Sequence, residues 1–180
     1  MKIFYGILFL ICFSFSIYAQ TEYKIPPKTT DSAIDNWLED NYVYINKNMP
    51  QMGKLVLFLP GSGLNPSSYL LFLKAAANKG YNVTGLKYPN TFSLADLCSK
   101  STDSACYEKV RLEVLDGKDR TQLVNVSRQN SIENRLSKLL IYLKTNYPND
   151  LWNLYLKPDG TPEWSLIIVA GHSLGGGMAA

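Results

Sequence analysis

Residues 171–175 read Gly-His-Ser-Leu-Gly and follow directly on the apolar run S-L-I-I-V-A at 165–170. A serine with glycines two positions before and after it, between an apolar run and the small-residue stretch G-G-M-A-A, is the pattern of a sharp strand-to-helix turn called a nucleophile elbow. Such a turn lifts the central hydroxyl clear of the sheet, at the start of a helix whose dipole favours negative charge. Ser173 is therefore the candidate nucleophile for attack on an acyl carbonyl. Gly171 and Gly175 are required where a side chain would collide with the neighbouring strand or helix. The oxyanion formed in that attack needs two donors. One is the backbone N–H of Leu174, and the other is expected from the loop after an earlier strand, where Pro60-Gly61-Ser62-Gly63 offers the N–H of Ser62.

Other chemistries fit these turns less well. A nucleotide-phosphate loop would place Lys and Ser/Thr after the glycines, and no Lys follows Gly175–Gly177. A dinucleotide fingerprint beginning at Gly61 would need glycine at position 66, where proline stands. A plain packing role for either turn stays open, as does a binding protein without catalysis. His172, the single histidine, is turned away from Ser173 by the elbow geometry and is assigned no chemical step. Cys98 and Cys106, in L-C-S-K-S-T-D-S-A-C, are expected to form a disulfide, the alternative being two loop thiols. They lack the further Cys or His that a four-ligand metal site requires, and neither a metal nor a cofactor is expected. As a disulfide, so small a ring contributes about 2–3 kcal/mol in the chain-entropy account.

The elements that must position these residues follow from periodicity. K-L-V-L-F-L at 54–59 is a continuous apolar run closed by Pro60 and Gly61, as expected of a strand buried on both faces of a parallel sheet. A helix is predicted after G-S-G-L-N, with Asn65 as cap and Pro66 in its first turn, ending at Gly80; a second strand covers 81–87. Strand, helix and strand over such a distance make a βαβ unit and an α/β class. A further helix is expected from about Asn130, where N-S-I-E suggests a cap with Glu133 reaching back. Ile132, Leu136, Leu139, Leu140 and Leu143 share its apolar face, with Arg135, Lys138 and Lys144 placed elsewhere. Residues 165–170 are the third buried strand. Before this frame, N-Y-V-Y-I-N at 41–46 reads as a strand and the rest of 20–53 as mixed padding at an edge. Residues 89–129 read as an excursion near the functional edge of the sheet.

Through L-F-L-P-G-S-G at 57–63 and G-H-S-L-G-G-G at 171–177, the chain resembles the α/β-hydrolase superfamily. With P-G-S-G-L-N-P-S-S-Y, V-R-L-E-V-L-D-G and S-I-E-N-R-L-S-K-L-L-I-Y-L it is similar, over roughly residues 40–180, to a poorly characterised family of exported bacterial α/β-hydrolases. The resemblance implies a mostly parallel sheet with flanking helices and a serine hydrolase of esterase or lipase type, acting on a small-molecule or lipid-like acyl substrate. It also implies the chain order Ser, then Asp or Glu, then His. Both partners of Ser173 are thus expected after it, so residues 20–180 are read as the N-terminal portion of such a domain, cut after the elbow and inactive alone. The alternative is a non-catalytic binding protein on the same fold.

Composition narrows the setting. Of 180 residues 46% are hydrophobic and 18% charged, which excludes a disordered or fibrous chain. The net charge of +3 is dispersed without a basic block, so nucleic acid is not an expected partner. Residues 1–19 carry one Lys, an apolar run from Ile3 to Phe15, and small residues leading to Ala19, the layout of a secretory signal peptide cleaved before Gln20. That run is shorter than the roughly 20 residues that span a bilayer, so no stable membrane span is expected after cleavage. The expected location is secreted or periplasmic.

Overall fold

The computed structural model describes residues 20–180, and the expected leader at 1–19 lies outside the described residues. The strands are β1 (Thr21–Ile25), β2 (Asn41–Ile45), β3 (Leu55–Leu59), β4 (Asn82–Gly85) and β5 (Ile167–Gly171). The α-helices are α1 (Pro27–Thr30), α2 (Leu70–Ala77), α3 (Leu94–Cys98), α4 (Cys106–Asp116), α5 (Ile132–Asn146) and α6 (Leu174–Ala179). One open sheet has the order β1-β2-β4-β3-β5. β3 runs parallel to β4 and to β5, but β2 is antiparallel to both β1 and β4. The class is α/β with a mixed sheet, which corrects the expectation of a mostly parallel one. The cause is the stretch before Gly53, read as padding: T-E-Y-K-I pairs beside β2 from Thr21↔Ile45 to Ile25↔Asn41.

Period-two alternation along β3 builds two cores. Leu55, Leu57 and Leu59 face α5, where Leu136, Leu139, Leu140 and Leu143 pack with Tyr88 and Trp152. Val56 and Phe58 face α2 and meet Leu73, Ala77, Val83 and Tyr44. All five β3 residues are buried, which is why the run is apolar throughout. Each large side chain so removed from water contributes about 1.5–3 kcal/mol. β5 is different from the buried strand expected at 165–170. It starts at Ile167 after a 3₁₀ turn at Trp164–Leu166, pairs among the described residues with β3 alone, and leaves Ile168 44% exposed. Ile168 lies on the α2 face, and α2 packs over β4 and β2 rather than this edge. No helix among the described residues is long and apolar enough to cross a membrane.

Several caps also differ from the sequence reading. Pro66–Tyr69 forms a 3₁₀ turn before α2, and Asn65 does not cap it. Its Oδ1 instead accepts from the buried Lys87 ammonium at 2.7 Å, a stronger demand than that of a backbone N–H. The strand read over 81–87 is confined to Asn82–Gly85. α5 is capped by Ser131, whose Oγ accepts from the Asn134 N–H at 3.3 Å; the Glu133 carboxylate pairs with Arg128. Residues 89–129 hold α3, capped by Ser93, and α4, and the disulfide Cys98–Cys106 joins them with a Cα–Cα distance of 5.9 Å.

Arg135 is the largest departure. It is buried rather than set apart from the core. Its guanidinium donates to the carbonyls of Asn36, Trp37, Lys87 and Asn130 and to Asn130 Oδ1. A long cation at a helical core position thus ties the loop before β2 and the end of β4 to α5. Burial pulls its pKa down to about 10, against the opposing pull of Asp35 and Glu39.

Arg135→Met strips four buried or half-buried carbonyls of their donor and should lower unfolding free energy by about 2–4 kcal/mol, read from urea denaturation. Lys138→Met, at a half-buried pair with Asp31, should cost under about 1 kcal/mol. At the end of α4, hydrogen bonds from Arg120, one of them 2.7 Å long, hold the Asp116 carboxyl down at about 2 from its ordinary 3.8. A lowered folded pKa stabilises above the unfolded value and ceases to do so as pH falls through the folded one. Between pH 4 and pH 2 the native chain should therefore lose stability more steeply than Asp116→Asn, in an acid titration followed by circular dichroism.

Candidate active site

β5 delivers the chain to the elbow. Past Gly171, the His172 N–H donates to Leu59 O at 3.2 Å, which holds the turn against the end of β3. Ser173 has φ 53° and ψ −117°, a region that non-glycine residues rarely occupy and that costs on the order of 1–3 kcal/mol. α6 then begins at Leu174, with Gly175 N–H on His172 O at 2.9 Å and Gly177 N–H on Ser173 O at 3.1 Å.

The two glycines mark where other backbone passes. A Cβ on Gly171 would lie 2.2 Å from the Gly175 carbonyl carbon and 2.6 Å from Gly176 N. A Cβ on Gly175 would lie 1.9 Å from Leu59 O and 2.7 Å from Pro60 O. The first spacing folds helix onto strand, and the second seats the helix on β3.

The Pro60–Gly63 loop is held by side chains distant in sequence. Buried Asn90 donates to the carbonyls of Gly61 and Leu64, each at 2.8 Å, and its own carbonyl accepts from the Gly63 N–H at 2.6 Å. Asn90 Oδ1 accepts from Lys87 Nζ at 3.2 Å, and Tyr88 donates to Pro60 O at 2.7 Å. The Lys87 ammonium has its pKa pulled down by burial, opposed by Glu39 at 3.4 Å. Gly61 N–H goes to the Tyr69 hydroxyl at 3.3 Å. The N–H groups of Ser62 and Leu174 have no hydrogen-bond partner among the described residues.

Ser62, Ser173 and Leu174 line one cavity of about 240 Å³. The three residues, from two separate stretches of sequence, come together there. The rest of the wall is Ser93, Leu94 and Ala95 at the start of α3, Tyr107 and Arg111 of α4, and Gly177. These were not singled out in the sequence. The available signal is positional: the excursion leaves the carboxyl end of a strand, where ligands of open α/β sheets bind. Asn90 gave no local signal, because its acceptors are 29 and 26 residues away.

His172 is on the other side of the turn, with Nδ1 2.9 Å from Tyr69 Oη, and does not line the cavity. Among the described residues no imidazole or carboxylate lines it. A second cavity of about 360 Å³ contains Glu113, but that carboxylate is occupied, accepting from the N–H groups of Arg120, Thr121 and Val126 at 2.9–3.2 Å. Among the described residues no group of three or more His, Cys, Asp and Glu is placed to hold a metal.

The chain was compared with models of known protein families and with curated proteins, and none matches.

The elbow geometry makes a sharp contrast between neighbouring glycines. Gly175→Ala must push apart two backbones and should either prevent folding or lower stability by more than about 3 kcal/mol in chemical denaturation. Gly176→Ala, whose Cβ would meet nothing nearer than Gly171 O at 3.3 Å, should change stability by less than about 1 kcal/mol.

Proposed function

We propose that this protein is a serine hydrolase of esterase or lipase type on an α/β-hydrolase fold, with Ser173 as nucleophile. The observation that carries the reading is the strained Ser173 backbone between Gly171 and Gly175, opening on the cavity that Ser62 and Leu174 also line. Ser173 Oγ attacks the acyl carbonyl. The unpartnered N–H groups of Ser62 and Leu174 receive the developing oxyanion, and expulsion of the alcohol leaves an acyl-enzyme that water hydrolyses. Donors fixed in advance at the oxyanion are each worth about 10²–10³ in rate. Among the described residues no imidazole or carboxylate lines the cavity, and the mechanism needs a general base and an orienting acid there. Without them the serine keeps only a small part of its activity. The substrate is a small-molecule or lipid-like acyl compound. An exported, oxidising setting is proposed with it, supported by the Cys98–Cys106 disulfide.

A binding protein on the same fold is favoured by one observation, the lack of a base and acid on the cavity wall. A fluorophosphonate probe separates the two. Protein expressed from its complete gene should be labelled, and Ser173→Ala should abolish labelling. Labelling that survives the substitution removes Ser173 from the mechanism, and an unlabelled native protein favours the binding protein.

A further inference from the structure

The chain has four arginines, and three are matched to acceptors. Arg120 holds Asp116, Arg128 holds Glu133 and the Asp116 carbonyl, and Arg135 is satisfied by carbonyls. Arg111 differs from them. Among the described residues it makes no hydrogen bond and no ion pair, and its Nε is buried without a partner. Its described neighbour is the Tyr107 ring, with Cζ 6.0 Å from the centroid.

Its place is fixed by the fold. α4 is tied at its first residue, Cys106, to the last residue of α3 by the disulfide, and it packs against α6. Gly177, one turn after Ser173, leaves the guanidinium its room: a Cβ there would lie 3.1 Å from Nη2 and 3.6 Å from Cζ and Nε. Arg111 consequently lines the cavity that contains Ser173, together with Ser62 and Ser93 and with no carboxylate. It also borders the adjoining cavity of about 480 Å³, where Glu108 is the one acidic residue and forms no ion pair with it.

A partly desolvated guanidinium without an anion is an unfavourable arrangement, and its planar fork matches a carboxylate. The geometry points to Arg111 as a specificity residue that recognises a carboxylate on the acyl part of the substrate. The preferred substrates are short monoesters of dicarboxylic acids, such as hemisuccinates, rather than neutral acyl esters. This rests on the nucleophile reading for Ser173. In a cavity of about 240 Å³ a short acyl chain places its terminal carboxylate on the α4 wall while its ester carbonyl meets Ser173 and the Ser62 and Leu174 amides.

The test compares p-nitrophenyl hemisuccinate with the neutral p-nitrophenyl butyrate, using full-length protein. The native protein should prefer the hemisuccinate. Arg111→Gln should raise its KM by about 10–100-fold while leaving the kinetics of the butyrate within about twofold, and Arg111→Lys should restore part of the loss. Equal loss on both esters, or a native protein with no preference, overturns the proposal. Binding of monomethyl succinate to Ser173→Ala, measured by calorimetry, separates the two readings. Binding that weakens in the double variant Ser173→Ala/Arg111→Gln, in a protein that hydrolyses neither ester, keeps the carboxylate site and rejects the nucleophile. Binding indifferent to Arg111 rejects the carboxylate site itself.

Discussion

The structure turns on a close approach of two backbones. The first turn of α6 is seated so near the end of β3 that the Cα of Gly175 leaves no space for a side chain beside Leu59 O. With that seating go the positive φ of Ser173 and the place of Ser173 and Leu174 on the cavity wall, where the Leu174 N–H has no partner among the described residues. Strain of this kind persists only where the surroundings over-determine it. Here they do: His172 N–H is fixed to Leu59 O on one side of the serine, and Gly177 N–H to Ser173 O on the other.

A second constraint, independent of the first, shapes the opposite arm of the site. Lys87 and Asn90 emerge from the end of β4 and use their side chains to fasten the loop that follows β3. Arg135 fastens the Lys87 carbonyl in turn, together with the chain at Asn36 and Trp37. The loop that carries the Ser62 amide therefore depends on buried polar residues that do not line the cavity. Such networks specify one arrangement when every member is satisfied.

The sequence shows the parts of this design that are local. A continuous apolar run announces β3, a leucine stripe announces α5, and glycines flanking a serine announce the elbow, because each pattern reflects geometry within a few residues. It does not show contacts whose partners lie far apart. Arg135 looks like an exposed helical residue until the carbonyls of residues 36, 37 and 87 are brought around it. Asn65 resembles a cap until Lys87 competes for it, and Glu133 resembles half of a capping box until Arg128 claims it. β1 does alternate, with Tyr23 and Ile25 on the covered side and Glu22 and Lys24 exposed, but five residues next to two prolines read as an edge until their pairing with β2 makes them a strand. Arg111 stands inside the V-R-L-E-V-L-D-G stretch and Tyr107 just before it, where neither residue type marks a site locally; the docking of α4 on α6 gives them a common wall with Ser173.

The disulfide ring thereby separates two kinds of inheritance. The elbow is fixed by backbone packing and its amide loop by the buried side chains of Lys87, Tyr88 and Asn90, whereas the wall from Ser93 to Arg111 is a tethered excursion that meets the elbow mainly through a small apolar cluster with Leu174. Substitutions on that wall can alter shape and charge without moving the strained serine. A lineage carrying this fold can change what it admits, one surface residue of α4 at a time, while its turn stays the same.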